Sequence, residues 1–161
     1  MATLVIPYRS GGKTRLGDPQ LALAMLEDVR EAAGEALVVD GPGGQGTAVA
    51  AALAQLRGPV TILNGDLPCV AADEIEQLTA AAPAIVAAPD GTTNALALRD
   101  AGDFLPLYGA GSAARFEEQL GAARLDLPGL RDDVDTWDDL ERLRDRVGRH
   151  TRGYLATLAP A

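Results

Sequence analysis

Short apolar runs alternate along this chain with longer stretches in which apolar residues recur at helical spacing, and that alternation limits the fold more than any other feature. Runs this short and this apolar suit strands buried on both faces, as in a largely parallel sheet covered by helices. Strands are predicted over 3–7, 36–39, 60–63, 84–88 and 94–98. Helices are predicted over 19–33, with Leu21, Met25, Leu26 and Val29 in phase, and over 46–56, with Val49, Leu53 and Leu56 on one side. Further helices are expected over 72–81, where Ile75 and Leu78 face inward, and over 112–120 and 137–147. At 161 residues, one domain is expected.

The strand at 60–63 runs into Asn64-Gly65-Asp66-Leu67-Pro68, so a carboxylate arrives at a strand's C-terminal end, where open α/β sheets bind ligands. A second acidic pair, Asp133 and Asp135, lies far downstream. Oxygen ligands of this kind suit a hard divalent cation holding phosphates. The plainer alternative is that Asp66 starts a turn and the other two lie on a solvated face.

Composition narrows the partners. Aromatic residues make up only 4% of the chain, which leaves Ala, Leu and Val to build the core. The formal net charge of −9 argues against nucleic acid or an anionic membrane as the main partner, because both repel an acidic surface. A small anion is still open to local cations, and Lys13 and Arg15 are candidates. The single cysteine, Cys69, can form neither an internal disulfide nor a thiolate cage, which fits a reducing compartment and a packing role. No apolar run approaches the roughly 20 residues of a spanning helix, so a cytoplasmic protein is expected.

Three glycine-bearing loops separate the elements: Ser10-Gly11-Gly12, Gly41-Pro42-Gly43-Gly44 and Gly109-Ala110-Gly111. Two directly precede helices, where glycine lets backbone N–H groups approach an anion. The first strand runs into Pro7-Tyr8-Arg9-Ser10-Gly11-Gly12-Lys13-Thr14-Arg15, able to wrap a polyphosphate or to stand as a solvated basic turn. It has neither P-loop nor G-x-G-x-x-G spacing. Ser112 can bind an anion at the start of its helix or serve as an N-cap. Arg115 can pair with an anion or decorate the helix, and Asn94 can face a substrate or cap a turn. The one histidine, His150, reads as a surface residue in a weakly patterned segment that either frays or docks.

In chain order, Lys13-Thr14-Arg15-Leu16, Gly65-Asp66-Leu67-Pro68, Gly91-Thr92-Thr93-Asn94-Ala95-Leu96, Gly109-Ala110-Gly111-Ser112-Ala113-Ala114-Arg115 and Asp133-Val134-Asp135-Thr136 resemble the phospholactate/phosphoenolpyruvate guanylyltransferases of coenzyme F420 biosynthesis. The resemblance covers about residues 6 to 140. The Gly-Asp-Leu-Pro and Asp-Val-Asp-Thr segments recur widely among nucleotidyltransferase-like folds; the other glycine-bearing segments are more particular to this family.

The resemblance implies a nucleotidyltransferase-like three-layer α/β sandwich around a mostly parallel, mixed sheet, with the domain over 1–148 and a tail over 149–161. It implies Mg2+-dependent transfer of GMP from GTP to a phosphorylated three-carbon acid, phosphoenolpyruvate ahead of 2-phospho-L-lactate, with pyrophosphate leaving. Asp66, Asp133 and Asp135 then stand as metal ligands. Thr92, Thr93, Asn94, Gly109, Gly111, Ser112 and Arg115 fall on the acceptor side. Pro7, Gly12, Lys13, Arg15 and Gly44 fall on the nucleotide side, with Lys13 and Arg15 sharing the catalytic work with Asp66. A homodimer is allowed.

The chain also departs from the family. The loop from Pro7 to Lys13 is short, Gly43-Gly44-Gln45-Gly46-Thr47-Ala48 replaces a Leu-Asn pair, and little chain stands between Leu98 and Leu107 to form a lid. Two other readings compete: a glycosyltransferase-like or sugar-nucleotide-forming relative, and a non-catalytic nucleotide-binding module.

Overall fold

A computed structural model describes residues 1–8, 16–40 and 43–158. Its centre is a six-stranded sheet formed by β1 (Thr3–Pro7), β2 (Leu37–Val39), β3 (Val60–Leu63), β4 (Ala84–Ala87), β5 (Thr93–Leu98) and β6 (Ala123–Arg124), in the order β2-β1-β3-β5-β4-β6. Only β5 runs against the others, pairing antiparallel with β3 and β4, so the sheet is mixed and mostly parallel as predicted.

Alternation along the strands divides the core into two layers. Ile6, Leu63, Val86, Ala95 and Ala97 face α1 (Pro19–Ala33), α3 (Ala72–Ala80) and the short α5 (Pro128–Arg131). Val5, Val60, Ile62, Ile85, Leu96 and Leu98 face α2 (Gln45–Leu53) and α4 (Ser112–Leu120), which bring Val49, Leu53, Ala113 and Phe116. Burial of both faces explains the near-continuous apolar strands. It also explains why Thr61, fully buried, pairs its hydroxyl with that of Thr79 on α3 at 2.8 Å.

A third apolar cluster lies behind α1. Leu21 and Met25, on the side of α1 away from the sheet, meet Leu16, Val134, and Leu140 and Leu143 of α6 (Trp137–Leu143), with Tyr154 and Leu155 of α7 (Arg149–Leu158) packed against them. The weakly patterned segment expected either to fray or to dock contains α7, which docks on α1 and is held by Asp28: its carboxylate accepts from the backbone N–H groups of His150 and Thr151 at 2.9 and 3.0 Å. A helix whose cap comes from a distant residue carries little local signal. His150 lies at this contact, its Nε2 3.7 Å from Glu31.

Corrections to the predicted elements are small. The helix predicted to reach residue 147 ends at Leu143, because the chain turns there to bury Val147 and to donate Gly148 N–H to the Pro68 carbonyl at 2.8 Å. The helix predicted over 46–56 spans 45–53, β2 and β4 are each one residue shorter than predicted, and β5 starts one residue earlier. The elements β6 and α5 escape prediction because two residues and a single turn carry no periodicity.

Candidate active site

The site begins at the C-terminal end of β3. Asn64 continues the strand direction by donating its backbone N–H to Asn94 O at 3.0 Å, and the chain then turns through Gly65 to Asp66. The backbone carbonyl of Asp66 accepts from Val134 N–H at 3.0 Å. This bond clips the β3 loop to the segment after α5, where Asp133 and Asp135 stand beside Asp66. One oxygen from each of the three carboxylates lies within 4.8 Å of the others.

The loop carrying the acidic pair is held on both sides. Upstream, buried Asp132 bridges Arg131 Nε at 3.0 Å and Arg146 Nη1 at 2.7 Å. Downstream, Asp139 Oδ2 accepts from the N–H groups of Asp135 and Thr136 at 2.9 and 3.1 Å, while Thr136 Oγ1 accepts from Asp139 N–H at 3.2 Å. This reciprocal cap fixes the start of α6 immediately after Asp135.

Three carboxylates this close resist simultaneous ionisation. Burial and then the charges of Asp66 and Asp135 push the Asp133 carboxyl up to about 7, against a smaller opposing effect of the Asn94 amide. A cluster of hard oxygen donors that strains to hold its charges fits a divalent cation, which would relieve the repulsion.

Beside the triad, β5 starts irregularly. Ala87 pairs with Thr93 but Val86 pairs with Ala95, so Asn94 is an extra residue in a bulge. Plain alternation would send Asn94 to the layer of Leu96 and Leu98. Instead it turns toward the α5 side, where Nδ2 donates to Arg131 O at 2.8 Å and reaches Asp133 Oδ1 at 3.4 Å. Thr93 turns the other way, and its Oγ1 lies 2.7 Å from Ser112 Oγ at the start of α4, both side chains being buried.

Ser112 is therefore no N-cap. The cap position is Gly111, in left-handed conformation at φ 72°, and Gly109 precedes it at φ 116°. Arg115 folds back over this arc, donating to Ala110 O at 2.7 Å and Leu107 O at 2.8 Å. Its guanidinium holds the Gly109–Gly111 loop in shape. Thr92 is engaged in a tight turn through its bond to Asp90 Oδ1 at 2.6 Å.

Of the residues expected on the nucleotide side, Pro7 ends β1 opposite Val39, and Gly44 precedes α2 at φ 91°. Gly12, Lys13 and Arg15 lie outside the described residues. The α2 start approaches the segment that leads to the Gly109–Gly111 loop, since a Cβ on Gly46 would stand 3.3 Å from Pro106 Cβ. Sequence reasoning missed Gln45 and Asn64. Gln45 Nε2 donates to Asn64 Oδ1 at 2.6 Å, and Asn64 Nδ2 donates to Thr93 O at 3.0 Å. The available signal was a lone polar residue ending an apolar strand one residue before the Gly-Asp pair.

No protein-family model matches the chain. It is 42% identical over 123 residues to the phosphoenolpyruvate guanylyltransferase of Nocardia farcinica, a match covering 67% of this chain and 53% of that protein, so the chain spans about half the relative's length. With the phosphoenolpyruvate guanylyltransferase of Streptomyces scabiei it shares 32% identity over 210 aligned positions, covering 97% of this chain and 96% of the relative. In three dimensions it is similar to a protein from Desulfovibrio desulfuricans G20 described as a nucleotide-diphospho-sugar transferase, with TM-score 0.67 and 17% identity over 89% of this chain and 87% of that one. At that identity, the likeness concerns the fold alone.

Proposed function

The chain belongs to the phosphoenolpyruvate guanylyltransferase family, and from that premise we propose that it transfers GMP from GTP to the phosphate of a phosphorylated three-carbon carboxylic acid, phosphoenolpyruvate foremost. The observation that carries this reading is the convergence of the Asp66, Asp133 and Asp135 carboxylates beside the bulged start of β5, where Asn94 reaches Asp133 on one side of the strand and Thr93 pairs with Ser112 on the other.

In the reaction, an oxygen of the acceptor phosphate attacks the α-phosphorus of GTP, the α–β phosphoanhydride bond breaks, and pyrophosphate leaves with the electron pair. The acceptor phosphate is already ionised near neutral pH and needs no protein base. Nothing then requires a histidine, and His150 is engaged with α1 instead. Asp66, Asp133 and Asp135 would hold Mg2+, which when bound neutralises charge on the reacting phosphates. The chain's own residues supply position: the Gly109–Gly111 arc, shaped by Arg115, would border the acceptor carboxylate at the start of α4. Thr93 and Ser112 orient each other's hydroxyl beside that arc, and Thr92 closes the turn leading into it.

On the nucleotide side, Gly44 and Pro7 border the space, and Lys13 and Arg15 are assigned to the triphosphate. Alignment of the two anions, rather than acid–base chemistry, is the main task of such a site. Residues 1–148 are the catalytic unit in this reading, with α7 bracing α1 from behind.

Pyrophosphate release from GTP with phosphoenolpyruvate and Mg2+, with the adduct identified by mass spectrometry, tests the proposal. Asp66→Asn is expected to lower turnover roughly a hundredfold or more while melting close to the parent protein. Absence of product with every phosphorylated three-carbon acid offered would overturn it.

A further inference from the structure

The three amide side chains between α2 and the acidic cluster point one way. Gln45 Nε2 donates to Asn64 Oδ1 at 2.6 Å. Asn64 Nδ2 in turn donates to Thr93 O at 3.0 Å and reaches Asn94 Oδ1 at 3.5 Å. Asn94 Nδ2 donates to Arg131 O at 2.8 Å and reaches Asp133 Oδ1 at 3.4 Å. Both protons of each asparagine amide are directed onward, and each asparagine carbonyl receives from the residue before it. Reversing either amide would set two acceptors face to face in a partly buried space, Asn94 being 2% exposed. The bulge at Asn94 is what turns this side chain out of the alternation of β5 and toward Asp133.

We infer that Gln45, Asn64 and Asn94 form a one-way amide relay that positions the Asp133 carboxylate for a divalent cation, with Gln45 fixing its direction. The inference rests on the metal role assigned above to Asp66, Asp133 and Asp135. None of the three amides is itself a ligand in it. They are positioning residues, and partners of this kind commonly set metal affinity because they fix the orientation of the ligand. The strong bonds anchor the backbone on either side of the cluster, at Thr93 O and Arg131 O, while the longer ones complete the polarised line to the carboxylate. Gln45 stands at the start of α2, so the same line joins the nucleotide side of the site to its metal side. A glutamine at this position belongs to a segment in which the chain departs from its family pattern, and the inference therefore concerns this chain in particular.

The test is Mn2+ binding, followed by the electron paramagnetic resonance signal of the free ion, in the full chain and in Asp66→Asn, Asn94→Ala, Gln45→Met and Gln45→Glu. Asn94→Ala is expected to weaken Mn2+ binding about tenfold or more. Gln45→Met, which keeps the length of the side chain and removes its donor, is expected to weaken it roughly threefold. Gln45→Glu inverts the donor and is expected to weaken binding further, whereas a simple charge effect would strengthen it. Melting in EDTA is the control: a merely structural role would lower the melting temperature and leave the Mn2+ affinity of the folded fraction unchanged. Should Asn94→Ala unfold, half-buried Gln45 carries the test alone.

Parent-like Mn2+ affinity in the Gln45 and Asn94 variants, with binding lost in Asp66→Asn, would overturn the relay and leave the metal site standing. Absence of Mn2+ binding in the parent protein would overturn both. Mn2+ binding that depends on Gln45 and Asn94, in a protein that forms no guanylyl adduct, would support the relay and remove the transfer reading.

Discussion

The indole Nε1 of Trp137 donates to the carbonyl of Leu16 at 3.1 Å. Trp137 begins α6 two residues after Asp135, and Leu16 directly follows Lys13-Thr14-Arg15 in the sequence, so this bond ties the segment after the carboxylate cluster to the one after the residues proposed to meet the triphosphate. Trp137 is the sole tryptophan and is 43% exposed, which makes it a native reporter. Addition of GTP with Mg2+ is expected to change its emission, and Trp137→Phe is expected to raise the KM for GTP a few-fold at a stability cost of about 1 kcal/mol. Emission that does not move at saturating GTP would disconnect the two segments.

The Asp133 carboxyl, pushed up to about 7 by burial and by Asp66 and Asp135, binds a proton in the folded chain that the unfolded chain releases near its ordinary value of 3.8. Between those values the folded state holds more protons at this site, so the contribution of this carboxyl to stability without metal is fully present below about 4 and is lost as pH rises through 7. A divalent cation held by the cluster would displace that proton, and its apparent affinity should therefore climb from pH 6 to pH 8. Asp133→Asn is expected to remove the decline in melting temperature over this range and also the stabilisation by Mg2+. Parallel melting curves against pH for the two proteins, both in EDTA, would refute the assignment.

Asp132 has the opposite sign. Burial works against its charge, but the hydrogen bonds and charges of Arg131 and Arg146 outweigh it and hold the carboxyl below its ordinary range. Its stabilising contribution is present above that range and is lost as pH falls through the lowered value. Asp132→Asn is expected to cost about 2 kcal/mol at neutral pH, because both arginines keep partial access to water. Denaturant melts at pH 7 and pH 3 measure this, and the difference between variant and parent should shrink at the lower pH.

Ser112→Ala leaves the Thr93 hydroxyl buried without its 2.7 Å partner. A loss of about 1 to 2 kcal/mol is expected, with a rise in KM for phosphoenolpyruvate and an unchanged KM for GTP. Equal rises in both constants would mean that the pair serves the fold rather than the acceptor.

Arg115 illustrates how far residue type alone can be read. Its place one turn into a helix after a glycine loop suits anion pairing or an idle surface position equally, and the structure gives it a third use, two bonds to carbonyls of the loop itself. The sequence had no means of signalling this, because the carbonyls become neighbours only once Gly109 and Gly111 have turned the chain. Asn94 is similar: as an extra residue in a bulge, its direction follows from how β4 and β5 pair.

The apolar alternation determined by itself the strands β1 to β5 and the helices α1 to α4 and α6, because burial of a strand on two faces and of a helix on one leaves periods that can be counted. It also determined that a carboxylate would end β3, and the ordered motifs placed two more downstream. Only the tertiary structure decided that the three carboxylates converge, through the bond between Val134 N–H and Asp66 O. It alone decided that α7 would form and pack on α1, because its cap is Asp28, more than a hundred residues away. Contacts between residues distant in the chain leave no period in it, and they are the ones that assemble this site.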